Sequence, residues 1–148
     1  MGGLYFLRGR QECRPYSLYE PRITMTNPTS LSPLALAFIG DTVFDLLVRE
    51  SLLEGPARPQ RQLHRESAGR VNARAQAELA QKILPLLSGE EAGIFRRGQN
   101  AKPGHVPRGV TRGEYSMATA LEALFGWLWL MGRFERAREL FALSLREN

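Results

Sequence analysis

Disulfide frameworks and cysteine zinc sites are excluded at once, because the 148 residues hold a single cysteine, Cys13. Histidine is nearly as scarce, with only His64 and His105. A resident metal must therefore draw mostly on oxygen ligands, which points to magnesium, manganese or calcium. No run approaches the roughly 18 apolar residues of a membrane span. The richest stretch, 34–48, is interrupted by Asp41 and Asp45. The short Leu4-Tyr5-Phe6-Leu7 patch runs straight into Arg8 and Arg10 and makes no signal peptide. The expectation is a cytoplasmic protein with no membrane attachment. Lysine is also rare. Of 20 basic residues only Lys82 and Lys102 are lysines, and the rest are arginines. The net charge of +5 is thus carried by planar guanidinium groups, which suit phosphate, although a GC-rich coding sequence would enrich arginine as well.

What is present is helical. Residues 1–30 carry Gly2-Gly3, Pro15, Pro21 and Pro28 with no helical or strand period, and read as a disordered leader, with translation starting at Met1 or at Met25. Residues 31–148 read as one domain. Ser32 is a good N-cap and Pro33 fits the first helical position, opening a helix that runs to about Glu54 and stops at Gly55-Pro56. That helix is apolar nearly all round, so it is expected at the centre of a bundle. A second helical stretch covers about 59–87, with a break expected near Gly69 and with Val71, Ala75, Leu79 and Ile83 as its buried stripe. Ser88-Gly-Glu-Glu91 is a capping box that starts a third helix, ending near Gly98. A Gly- and Pro-rich loop spans 98–113. A fourth helix covers 114–130 and a fifth 134–146. No alternating strand pattern occurs, so the fold class is all-α.

Two acids stand in apolar helices. Asp41 follows Gly40 in Phe38-Ile-Gly-Asp-Thr-Val-Phe44, and Glu122 lies in Thr119-Ala-Leu-Glu-Ala-Leu-Phe-Gly126. An unpaired buried carboxylate is costly, so each is expected to be paired, protonated or metal-bound. A helical glycine costs up to about 1 kcal/mol relative to alanine, and usually marks something close to the backbone. If the two helices pack side by side, Asp41 and Glu122 face each other and would repel unless a divalent cation lies between them. Read singly, Asp41 can instead pair with Arg70 or Arg74, and Glu122 can sit on an exposed rim. Asp45, one turn after Asp41, is a candidate third ligand or supporting group. Glu114 reads as an exposed first-turn acid. The aromatics Phe125, Trp127 and Trp129, with the apolar face of the first helix, are candidate dimer surface or monomer core.

From Arg96 to Gly113 there are five positive residues, Arg96, Arg97, Lys102, Arg108 and Arg112, and no acid. Gln99, Asn100, His105 and Thr111 are interleaved. Such a loop is suited to a phosphodiester backbone, with the amides reaching bases or 2′-hydroxyls; a solvated surface loop is the plainer reading. Arg65, Arg70 and Arg74 form a second basic face.

These motifs resemble a known family. Leu34-Ala-Leu-Ala-Phe-Ile-Gly-Asp-Thr-Val-Phe-Asp45 is similar to the ribonuclease III signature helix, and Tyr115-Ser-Met-Ala-Thr-Ala-Leu-Glu-Ala-Leu-Phe-Gly126 to its second acidic helix. Arg96-Arg-Gly-Gln-Asn-Ala-Lys102 and Ala73-Arg-Ala-Gln76 resemble Mini-ribonuclease 3, the short bacterial branch without a double-stranded RNA-binding domain. The resemblance covers about 31–145. It implies a ribonuclease III-like helical domain and a homodimeric, metal-dependent endonuclease for double-stranded RNA, leaving 5′ phosphate and 3′ hydroxyl ends. In the Mini branch the substrate is the 23S ribosomal RNA precursor, trimmed at both ends. Catalysis and metal binding then fall to Asp41 and Glu122 with Mg²⁺, or Mn²⁺ in its place. RNA contact falls to Arg96, Arg97, Gln99, Asn100, Lys102 and Arg74. Two acids of the full-length family are missing, since Ala37 and Thr119 stand where it has Glu and Asp. A non-catalytic ribosomal-RNA-binding module is the alternative reading.

Overall fold

The computed structural model describes residues 27–102 and 104–146, so the sequence-based expectations for residues 1–26 lie outside the described residues. Among the described residues six α-helices follow a short 3-10 turn at Pro28–Ser30. They are α1 (Pro33–Leu53), α2 (Gln60–Arg70), α3 (Ala73–Ile83), α4 (Gly89–Gln99), α5 (Arg112–Leu130) and α6 (Phe134–Ala142). No strand occurs among the described residues.

Local chemistry explains most boundaries. Ser32 Oγ accepts from the Ala35 amide, and Pro33 opens α1. Ser88 and Glu91 close a full capping box at α4, and Thr111 and Glu114 close another at α5. The α2–α3 break falls at Val71-Asn72 rather than Gly69, because the Asn72 side chain caps α3 by accepting from the Ala75 amide. The last helix ends at Ala142, four residues short of the sequence-based expectation.

The central helix is α5, not α1. It packs against α1, α3, α4 and α6. Ten of its consecutive and near-consecutive positions are buried, with Leu121, Phe125, Trp127 and Leu128 fully enclosed. Phe44 of α1 meets Phe125 and Phe141 edge-on, with ring centroids 5.7 and 5.6 Å away. The apolar surface of α1 is divided. Leu36, Val43, Phe44, Leu47 and Val48 enter the core, whereas Leu34 (47% exposed) and Phe38 (78% exposed) face outward. The expectation of a fully surrounded α1 therefore fails, because mean apolarity does not tell how many faces a helix has covered. Phe125 and Trp127 are likewise core, which removes them as dimer surface; Trp129 is half-buried and stacks edge-on with Phe134 at 4.6 Å.

Residues 27–31, of which 27–30 fall within the expected leader, are tied to the fold. Arg97 donates to the carbonyls of Thr29 (2.7 Å) and Leu31 (2.6 Å), and Trp127 Nε1 donates to Thr29 Oγ1 at 3.0 Å.

Candidate active site

Two glycines set the geometry. A Cβ on Gly40 would overlap the carbonyl oxygen of Glu122, and a Cβ on Gly126 would overlap that of Leu36. The glycines thus let α1 and α5 cross with backbones in contact, and their missing side chains are the reason the helices can meet. Because Asp41 follows Gly40 and Glu122 is one turn before Gly126, this crossing brings both carboxylates to one concavity. The hollow measures about 340 Å³ and is lined by α1 (Leu34, Ala37, Phe38, Asp41), α3 (Ala73, Gln76) and α5 (Tyr115, Ala118, Thr119, Glu122). Ala37 and Thr119 line it too, so the positions where the full-length family has acids remain but carry no charge. The Thr119 hydroxyl is turned back to the Tyr115 carbonyl at 3.0 Å.

The two acids differ in surroundings. Asp41 is exposed, contrary to the expectation from its apolar neighbours, and makes no ion pair with Arg70 or Arg74. Glu122 is largely enclosed. Burial, followed by the negative charge of Asp41, pushes its carboxyl up to about 7, while Gln76 pulls the other way. Gln76 is 2% exposed. Its amide favours the charged form of Glu122, and Nε2 has no hydrogen-bond partner among the described residues. Among the described residues no cluster of three or more His, Cys, Asp or Glu converges. The ligand set is therefore two carboxylates, both hard oxygen donors. It suits Mg²⁺ or Mn²⁺, which keep water molecules in their remaining positions. Mutual repulsion between the acids, one of them desolvated, is what a cation would relieve.

Asp45 is not part of this set. Its carboxylate pairs with Arg49 Nε at 2.7 Å and accepts from Ser67 at 3.5 Å, and it does not line the hollow.

The expected RNA-contacting residues divide. Arg96 is exposed at the end of α4, and Asn100 is exposed as its C-cap. Lys102 lines a second hollow with His105, Arg112 and Ser116, beside the first turns of α5. Gln99 is exposed, and its amide donates weakly to the Met117 sulfur at 3.5 Å. Arg74 is solvent-facing on α3, pairs loosely with Glu78 at 3.4 Å, and lies near enough to Glu114 to help hold that carboxyl below its usual range, behind the two bonds from Thr111. Arg97 is the exception. Both of its terminal nitrogens serve the carbonyls of Thr29 and Leu31, so in this structure it fastens the N-terminal turn. Sequence reasoning missed the burial of Gln76. Its spacing from Leu79, Ala80 and Ile83 was the available signal.

Comparison with known proteins agrees with this architecture. The Ribonuclease III domain family model matches residues 34–133. Mini-ribonuclease 3 of Thermoanaerobacter sp. (strain X514) is 44% identical over 124 residues, 84% of this chain and 87% of that protein. Mini-ribonuclease 3 of Gloeobacter violaceus is 48% identical over 104 residues, 70% of this chain and 76% of that protein. The crystal structure of protein FN1578 from Fusobacterium nucleatum superposes with a TM-score of 0.73 at 30% identity, covering 82% of this chain and 97% of that one. With the helix order, the paired acids and these relatives in agreement, the chain belongs to the ribonuclease III family, in its Mini-ribonuclease 3 branch, and is an endoribonuclease.

Proposed function

We propose that this protein cuts the stem of the 23S ribosomal RNA precursor as a homodimer, with Asp41 and Glu122 holding a catalytic Mg²⁺, or Mn²⁺ in its place. Its family acts on double-stranded RNA and is divalent-metal dependent. The observation that carries the site assignment is the Gly40–Gly126 crossing, which delivers two unpaired carboxylates to one hollow in a chain of net charge +5. When bound, the cation supplies Lewis-acid activation of water and charge stabilisation at the leaving 3′ oxygen. The chain's own part is to orient and to bind. Asp41 presents an exposed charge at the mouth of the hollow, and Glu122 a desolvated one at its floor. Arg96, Lys102 and Arg74 are exposed and can meet phosphates, and the exposed Gln99 and Asn100 can meet bases or 2′-hydroxyls.

The homodimer rests on Leu34 and Phe38. Both are exposed, apolar and part of the wall that holds Asp41. A second copy on this face would bury Phe38 beside the hollow. A two-fold related pair of sites would then address the two strands of one duplex.

The test is incubation of an end-labelled precursor stem with the protein, with and without Mg²⁺, alongside Asp41→Asn. Metal-dependent cuts with 5′ phosphate and 3′ hydroxyl ends are expected from the wild type and none from the variant. Tight binding of the stem with no cutting in Mg²⁺ or Mn²⁺ would favour a non-catalytic ribosomal-RNA-binding module instead.

A further inference from the structure

We propose that Gln76 is a positioning residue for the acid pair: its side-chain amide, sealed at the floor of the hollow, fixes the Glu122 carboxylate in the orientation in which it and Asp41 converge on one cation. The inference rests on the metal-site reading given above and adds a third residue to it.

The fold gives Gln76 no other task. It is the one buried polar side chain of α3, whose other buried residues are Ala77, Leu79, Ala80 and Ile83. A core position there calls for an apolar side chain, and an amide is costly to enclose unless both its ends are satisfied. Nε2 is enclosed and lacks a hydrogen-bond partner among the described residues. A buried donor left unpaired beside an enclosed carboxylate is a contact waiting to close. Glu122 is that carboxylate: Gln76 favours its charged form against burial and against Asp41.

The residue type fits the role. An amide offers a donor without bringing a positive charge that would compete with the cation, as a lysine would. It also adds no negative charge to a pair that already repels, as a glutamate would. Of the other walls, Ala37 has no polar group and the Thr119 hydroxyl spends its proton on the Tyr115 carbonyl, so neither supplies a donor to Glu122. Outer partners of metal ligands commonly govern affinity about 10- to 100-fold by orienting the ligand.

The experiment measures Mn²⁺ binding by electron paramagnetic resonance at pH 8 for the wild type, Gln76→Leu, Gln76→Met and Glu122→Gln, with circular dichroism to check folding. The Glu122→Gln variant is expected to lose the site. The two Gln76 variants are expected to fold and to bind Mn²⁺ about 10- to 100-fold more weakly. Folded Gln76 variants with wild-type affinity, beside a Glu122→Gln variant that has lost it, would overturn the role of Gln76 and leave the metal site standing. Wild-type affinity in Glu122→Gln would overturn both. A second measurement needs no variant that must fold. In ¹⁵N-labelled wild-type protein, the Gln76 side-chain amide resonances are expected to shift on Mg²⁺ titration and to gain protection from solvent exchange. Resonances unmoved at saturating Mg²⁺ would refute the contact.

Discussion

Replacing Glu122 by glutamine should make the metal-free protein more stable at alkaline pH while removing its activity. In the fold the Glu122 carboxyl is raised from 4.5 to about 7, by burial first and by Asp41 second. The native state therefore keeps this proton to a higher pH than the unfolded chain does. Below about 4.5 both states are protonated and the residue contributes no pH dependence. Between 4.5 and 7 the unfolded chain releases the proton first, so stability falls as pH rises. Above 7 the deficit is complete. At 1.36 kcal/mol per pKa unit the rise corresponds to about 3 kcal/mol, and partial solvent access reduces it to about 2–3 kcal/mol. Glutamine has the same shape and no charge to desolvate. In EDTA, urea unfolding of Glu122→Gln should match the wild type at about pH 4 and exceed it by about 2–3 kcal/mol at pH 8. Adding Mg²⁺ at pH 8 should then stabilise the wild type and not the variant, by mass action on the folded state. Equal stabilities of the two proteins at pH 8 without metal would refute the reasoning, because the carboxylate would then carry no burial cost for a cation to offset.

Gly40→Ala should unfold or severely destabilise the protein, by at least about 3 kcal/mol, since the added methyl meets the Glu122 backbone rather than a movable side chain; a melting temperature near the wild type would refute the close crossing. Arg97→Ala should lower stability by about 2–4 kcal/mol through loss of two charged hydrogen bonds, and leave the salt dependence of RNA binding unchanged. Arg96→Ala with Lys102→Ala should do the reverse, flattening that slope by roughly 0.9 log–log unit per lost phosphate contact if duplex DNA is a guide, as read from binding in Ca²⁺ at several salt concentrations. Phe38→Asp should give a folded monomer in sedimentation equilibrium where the wild type is a dimer, and an undiminished dimer would move the interface elsewhere.

The sequence determined the local structure and the two acids. Capping chemistry acts within three or four residues, so Ser32-Pro33 and Ser88-Gly-Glu-Glu91 marked their helix starts correctly. The glycines beside Asp41 and Glu122 were also legible, because a helix carries glycine at a cost that only close packing offsets. The tertiary structure alone decided which apolar helix is surrounded. Both α1 and α5 are rich in apolar residues, but only α5 has neighbours on all sides, and the uncovered face of α1 is left with Phe38 beside Asp41. It also decided how charge is spent. Arg97 and Arg96 are adjacent in a basic segment, yet a helix points consecutive side chains about 100° apart. One meets the carbonyls of residues 29 and 31 and the other meets water. Gln76 was placed in the same way. Its burial against Glu122 depends on α3 lying across α5, a contact between residues 46 positions apart that no local pattern encodes.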